Sequence, residues 1–259
     1  MKKSIIFLTL FLWVLTACEE ESTQQPSDKF EKYLIAETQI NDIKVEVYSD
    51  EEKLLTGYNT LFLKFRKDGQ FIDVNINKIT PMMNMGMKTH STPFDNFKKD
   101  SNTFEFPVFF IMPSGVGTYW YLDLDLSFNG KNYKNEIKFD VSDNTNLQRF
   151  KYKEETYFVS MVSPRNPHKA NTGMNNFTFA VHKKESDSSF PAVANLNSVV
   201  TPWMPDMSHG SPKNENPISI GNGYYSGRVN FIMTGYWTVK TEFFIELEKI
   251  GEVTHTFTF

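Results

Sequence analysis

The chain has 259 residues, with 27 Lys and Arg against 31 Asp and Glu, five His and a single Cys, for a formal net charge of −4. No Lys/Arg-rich stripe or basic helix stands out of that mildly acidic balance, so nothing points to nucleic acid as a partner. One cysteine also excludes an intrachain disulfide framework.

At the N-terminus, Lys2 and Lys3 precede an apolar run over residues 5–15. The run is too short to cross a bilayer as a mature helix and reads as a signal peptide over residues 1–17. Leu15-Thr16-Ala17-Cys18 resembles the lipobox of bacterial lipoproteins. That resemblance implies cleavage before Cys18 and acylation of its sulfur and new amino terminus, hence a lipid-anchored protein of the cell envelope, expected in the outer membrane with its facing open. Several acyl chains hold a protein stably where one would be marginal. The alternative is a secreted protein with an accidental cysteine. Residues 18–29, beginning with Glu19-Glu20-Glu21, are polar and aperiodic and read as a disordered tether. The acidic run resembles the surface-export signal of some Bacteroidota lipoproteins. Losing Lys2 and Lys3 leaves 25 basic against 31 acidic side chains.

Beyond the tether the pattern has period two. Leu61, Leu63 and Phe65 alternate with Phe62, Lys64 and Arg66, and Trp120, Leu122, Leu124, Leu126 and Phe128 alternate with Tyr121, Asp123, Asp125 and Ser127. Each is the signature of a strand with one buried face. Ser101-Asn102 marks a turn in which Asn102 tolerates the left-handed region. Asn129-Gly130 predicts a type I′ hairpin returning through residues 133–139. A polar break over residues 143–146 separates a first domain, residues 30–143, from a second, residues 150–259. There Phe177, Phe179 and Val181 repeat the inward alternation, and Gly221-Asn222-Gly223 predicts a hairpin into a strand over 224–233. Trp237, Val239, Thr241, Phe243, Ile245 and Leu247 are expected on one face, with a turn at Ile250-Gly251 before the last strand, residues 253–259. No stretch reads as a long capped amphipathic helix. Short strands with turn signals in units of this size give an all-β expectation of two tandem immunoglobulin-like β-sandwiches.

The two halves repeat each other. Thr56-Gly57-Tyr58-Asn59 answers to Thr172-Gly173-Met174-Asn175, Phe110-Ile111-Met112 to Phe231-Ile232-Met233, and Tyr119-Trp120 to Tyr236-Trp237. A repeat of this length suits whole domains in tandem rather than a solenoid. Both tryptophans are expected in the cores. The repeated units also share ITPMMNMGMKTHSTP over residues 79–93 and VTPWMPDMSHGSP over residues 200–212. Of the ten methionines after the initiator, six fall in the fifteen positions 82–90 and 204–209, a clustering that composition does not explain.

Thioether sulfur is a soft, neutral donor that favours Cu(I), and imidazole accepts copper in either oxidation state. On an extended segment Met83, Met85 and Met87 point to one side, with His90 close by; Met204, Met207 and His209 form the second set. Two other readings of the same residues stand beside ligation: flexible methionines plugging the open end of a sandwich, or an adaptable partner-binding surface. His168 is placed to approach the same end of the second domain, while His182 and His255 read as surface or cross-strand residues. No nucleophile elbow, phosphate loop, His-Glu-x-x-His or free thiol is present, so an enzyme is not expected.

The second unit, with TGMNNFTF, Met204-Pro205-x-Met207-x-His209, a glycine hairpin and Gly235-Tyr236-Trp237, resembles the YtkA-like and FixH-like domains of bacterial envelope proteins. The first unit departs from the pattern: Asn84 replaces the proline, and its methionine-to-histidine stretch is two residues longer. The resemblance implies immunoglobulin-like domains in the envelope and, through the FixH-like branch, partners in copper transport or respiratory oxidase assembly. The expectation is a membrane-tethered protein that binds Cu(I) through the repeated loops and passes it on; the alternative is an envelope interaction or scaffold module without metal.

Overall fold

A computed structural model of the chain describes residues 31–259; the expected signal peptide over 1–17, the expected lipidation site Cys18 and the expected tether over 18–29 lie outside the described residues. The first half contributes β1 (Tyr33–Ile40), β2 (Ile43–Ser49), β3 (Leu54–Leu55), β4 (Gly57–Lys67), β5 (Gln70–Phe71), β6 (Asn75–Asn84), β7 (Thr89–Ser91), β8 (Lys98–Asp100), β9 (Thr103–Phe110), β10 (Tyr119–Phe128), β11 (Lys131–Phe139) and β12 (Val141–Ser142). The second contributes β13 (Leu147–Tyr152), β14 (Glu155–Ser163), β15 (Gly173–Lys183), β16 (Asn197–Met204), β17 (His209–Gly210), β18 (Glu215–Gly221), β19 (Tyr224–Phe231), β20 (Tyr236–Ile245) and β21 (Glu248–Thr258).

In the first half the sheet β1-β2-β4-β9-β8 faces the sheet β11-β10-β6-β7; in the second, β13-β14-β15-β19-β18 faces β17-β16-β20-β21. With β1 and β13 set aside as an added outer strand, β2-β4-β9-β8 and β14-β15-β19-β18 read as A, B, E, D, and β11-β10-β6-β7 and β21-β20-β16-β17 as G, F, C, C′, the strand order of an immunoglobulin sandwich. The fold is therefore all-β, two immunoglobulin-like sandwiches in tandem, each around its own apolar core. Alternation explains the layers: Leu61, Leu63, Phe65, Trp120, Leu122, Leu124 and Leu126 are sealed in the first core, and Phe177, Phe179, Val181, Trp237, Val239 and Phe243 in the second.

The repeat extends to individual hydrogen bonds. Gly57 and Gly173 both open a strand at φ +94°. Two residues on, Asn59 Nδ2 donates to the carbonyls of Leu55 (2.7 Å) and Gly57 (2.9 Å). Asn175 Nδ2 does the same to Asn171 (2.6 Å) and Gly173 (2.9 Å). A side chain with both a carbonyl and an amide can close such a loop by itself, which is why Asn stands at this place in both copies.

Asn129 (φ 49°) and Gly130 (φ 74°) make the expected hairpin between Phe128 and Lys131, and Asn222 (φ 49°) with Gly223 (φ 74°) makes the other. At the Ser101-Asn102 turn the left-handed residue is Ser101, φ 50°. The last hairpin differs from expectation. Its turn is Glu246-Leu247, with Glu246 at φ 54°, so Leu247 is solvent-exposed and Ile245 half-exposed rather than inward. Ile250 is instead the extra residue of a bulge, because Phe243 pairs with Gly251 and Phe244 with Lys249. The bulge buries Ile250 and brings Gly251 against the Phe150 ring. That ring is stacked between Tyr157 (4.9 Å) and Phe243 (5.3 Å). A Cβ on Gly251 would lie within 2.7 Å of Phe150 Cε2 and closer still to Cδ2. Gly251→Ala is thus expected to cost about 1–3 kcal/mol by overpacking, read from urea unfolding.

The outer strand β18 is irregular. Its register with β19 breaks on both sides of Ile218-Ser219, and Pro217 approaches Gly227 so closely that no Cβ would fit there. Ser198 Oγ on β16 donates to the Pro217 carbonyl (2.7 Å), and the Val200 amide donates to Asn216 Oδ1 (3.0 Å), joining this edge to the opposite sheet.

Residues Lys32–Phe259 pack as one unit, so the sandwiches meet at a defined junction. Arg165 reaches back to Asp50 (3.3 Å) and Asn59 (3.3 Å). Asp95 accepts from Asn222 Nδ2 (2.6 Å) and Tyr224 Oη (2.7 Å). Between these polar contacts Phe109 lies 4.5 Å from the ring of His182, both buried. Partly exposed ion pairs contribute little, so this aromatic contact is the stronger part of the junction.

Candidate metal-binding site

The first loop is set by a turn. β6 ends at Asn84, whose Oδ1 accepts from the Gly86 amide (2.7 Å), and the Met85 amide donates to the Lys88 carbonyl (2.9 Å). Gly86 sits at φ +81°, which reverses the chain into β7. The expected extended run of sulfurs is therefore broken. Met83, still on β6, is sealed in the core, Met85 is 43% exposed, and Met87 at the tip is fully exposed, so the three do not share a face. In the second loop Met204 is also core, its Cε packed where a Gly235 side chain would be, and Met207 is 59% exposed on the short 3-10 helix Pro205–Met207. Plugging describes Met83 and Met204 better than ligation does.

What the two loops share is the setting of the imidazole. His90 pairs with Met83 across β7 and β6, and Met83 pairs with Trp120 on β10, so the three lie in line on the inner face. The His90 ring stands edge-on to Trp120 at 5.4 Å; His209 stands likewise to Trp237 at 5.6 Å. Each indole Nε1 donates to a methionine carbonyl, Trp120 to Met112 and Trp237 to Met233, both at 3.0 Å. His90 Nδ1 lies 2.7 Å from the Ser91 carbonyl oxygen and His209 Nδ1 2.9 Å from that of Gly210. A carbonyl only accepts, so Nδ1 carries the proton in both rings, and in the neutral imidazole Nε2 presents a bare lone pair. A backbone carbonyl fixing the tautomer is the usual outer support of a metal-binding histidine.

In the first copy His90 Nε2 and Met112 Sδ are 2.9 Å apart, closer than two lone pairs tolerate without a proton or a metal ion between them. Two donors bound at roughly 2.0–2.3 Å to one ion at a tetrahedral angle stand about 3.5 Å apart, so an ion shared by this pair requires Met112 Sδ to draw back by about half an ångström. Met85 borders the same open cleft of about 290 Å³, which is lined on its far side by Phe158, Lys184, Asp187 and Phe190 of the second sandwich. The Asp187 carboxyl is held below the usual carboxylate range by its hydrogen bond from Lys184 (2.7 Å) and by that ammonium's charge. In the second copy His209 Nε2 has no hydrogen-bond partner among the described residues, and Met233 is 37% exposed. Among the described residues there is also no group of three or more His, Cys, Asp and Glu set to hold a metal, so any ion here depends on thioethers.

Met112 and Met233 were outside the expected ligand set. The signal was in the sequence: both end the repeated Phe-Ile-Met, which serves above only as a landmark of duplication. His168 Nδ1 bonds the Thr258 carbonyl (3.0 Å) and lines a separate cleft with Arg165. His182 and His255 are each only 3% exposed, not surface residues.

Residues 151–242 match the family described as YtkA-like, so the second sandwich carries a YtkA-like domain, with Met204, Met207 and His209 inside the matched stretch. Among solved structures the chain is similar to domains 5-6 of the S-layer protein SbsC, with 10% identity over 86% of this chain and 98% of that one, at a TM-score of 0.33. It is similar to chimeric titin Z1Z2, with 9% identity over 86% and 95% and a TM-score of 0.24. It is also similar to the Escherichia coli adhesin FdeC, with 12% identity over 78% of this chain and a TM-score of 0.25; the chain spans 59% of that structure's length. No curated protein matches.

Proposed function

We propose that this chain is a lipid-anchored protein of the cell envelope that binds Cu(I) through one His/Met site in each sandwich and hands it on. The observation that carries the reading is the repeated imidazole: Nδ1 tied to the next carbonyl, with Nε2 2.9 Å from Met112 Sδ in the first copy and without a hydrogen-bond partner among the described residues in the second. Nitrogen and thioether donors without thiolate or carboxylate suit a soft monovalent ion that must also leave. The ligands are His90 with Met112 and Met85, and His209 with Met233 and Met207. Cys18 supplies the anchor, and a copper-transport or oxidase-assembly protein is the recipient.

Anaerobic titration of the chain without its first 18 residues, against a Cu(I) chelator, is expected to give between one and two Cu(I) per chain. His90→Ala with Met112→Ala should remove one equivalent, and unchanged affinity and stoichiometry in that variant would dismiss these ligands. A second reading, a metal-free interaction module, draws on the exposure of Trp203, Met207, Ile232 and Met233. Its mark would be a partner lost on mutation of these side chains with no Cu(I) bound.

A further inference from the structure

We propose that the two sites differ in access: the first is walled by the second sandwich and retains its ion, whereas the second is open and exchanges it. The inference rests on the copper reading above and goes beyond it by assigning the sites different roles.

The wall is physical. Opposite Met85, His90 and Met112, the cleft is lined by Phe158, Lys184, Asp187 and Phe190 from the other sandwich, with Lys184 paired to Asp187. Phe190 stands edge-on to Phe158 at 6.1 Å, and Phe158 is itself buried. The wall is also joined to the ligand strand. The Ser91 carbonyl accepts from His90 Nδ1 (2.7 Å), while the Ser91 amide donates to the Asp187 carbonyl (2.7 Å). One residue thus fixes the imidazole on one side and holds the second sandwich's loop on the other. Moving that loop away disturbs the outer support of His90, and an ion leaving the cleft must pass the loop or wait for it to open.

At the second site Met207 and Met233 are 59% and 37% exposed, against 43% for Met85, so what separates the copies is the lining that the second sandwich places over His90 and Met112. His209 has the same indole and the same carbonyl support as His90, but only His90 has a sulfur at its Nε2, so the copies differ in donor spacing as well as in what stands over them. Where a bound ion must wait for a local opening, that opening adds to the barrier for release.

The test is the rate at which a strong Cu(I) chelator in excess strips the fully loaded chain. Two phases are expected, the slow one at least about tenfold slower, which is about 1.4 kcal/mol in barrier. His90→Ala should abolish the slow phase and His209→Ala the fast one. Phe190→Ala, which opens the wall without touching a ligand, should accelerate the slow phase and leave the fast one unchanged. Asp95→Ala with Arg165→Ala, which loosens the junction, should do the same if Phe190→Ala folds poorly. One common rate for both sites, or a slow phase indifferent to both wall and junction variants, would overturn the inference while leaving copper binding intact. A chain that binds no Cu(I) at all would overturn the copper reading itself, and this inference with it.

Discussion

Lowering the pH from 7 to 4 is expected to cost the folded chain about 6 kcal/mol through two side chains, His182 and His255. Both are 3% exposed, and burial pushes each imidazole down from 6.5 to about 4. His182 Nδ1 has no hydrogen-bond partner to offset that burial. Above pH 6.5 both rings are neutral in folded and unfolded chains alike, and neither affects stability. Below it the unfolded chain takes up protons that the folded one refuses, so stability falls as pH falls. The penalty is complete near pH 4, at about 3 kcal/mol for each ring. Against typical domain stabilities of about 5–15 kcal/mol that is a large fraction of the total, and it exceeds the total at the low end of the range. Urea unfolding at pH 7, 5.5 and 4 would measure it. His182→Leu and His255→Leu should each remove about half of the pH dependence, and an unchanged slope in both would show that other groups govern it.

Trp237→Ala should cost about 3–5 kcal/mol, as large-to-small changes of a sealed aromatic do. The indole is fully buried, packs on Phe231 at 5.4 Å, and donates to the Met233 carbonyl. Trp237→Phe separates bulk from hydrogen bonding: it keeps a ring and leaves that carbonyl without its donor, for about 1–3 kcal/mol. Because the same indole backs His209 and holds the Met233 backbone, Trp237→Phe should also weaken Cu(I) at the second site by about tenfold or more. Paired urea unfolding and chelator competition would read both effects. A loss of stability with unaltered Cu(I) affinity would reduce the tryptophan to a packing residue.

The layers were legible because period-two alternation is itself the cause of a one-faced strand, as at Leu122, Leu124 and Leu126. The type I′ hairpin at Asn129-Gly130 was legible because few residue pairs accept two positive φ angles. The last turn was not, since Glu246-Leu247 has no turn composition and the bulge at Ile250 arises from the fit of Gly251 to the Phe150 ring. The repeated setting of His90 and His209 was foreshadowed by the duplicated loops; the sulfur that meets His90 was not. Spacing along an extended segment cannot foresee that Gly86 reverses the chain, or that Met112, distant in sequence, arrives beside His90. The burial of His182 depends on the junction with Phe109, which no local pattern encodes.

A bare border strand is where sandwich proteins recruit one another into fibres. Along β18 that recruitment lacks handholds, because Pro217 has no N–H to offer, its carbonyl is already occupied by Ser198, and the ladder loses register on either side of Ile218-Ser219. Ile218 and Ile220 therefore show solvent a greasy margin whose row of amides is interrupted at Pro217 and out of register beyond it, so stickiness there does not readily extend into cross-β growth.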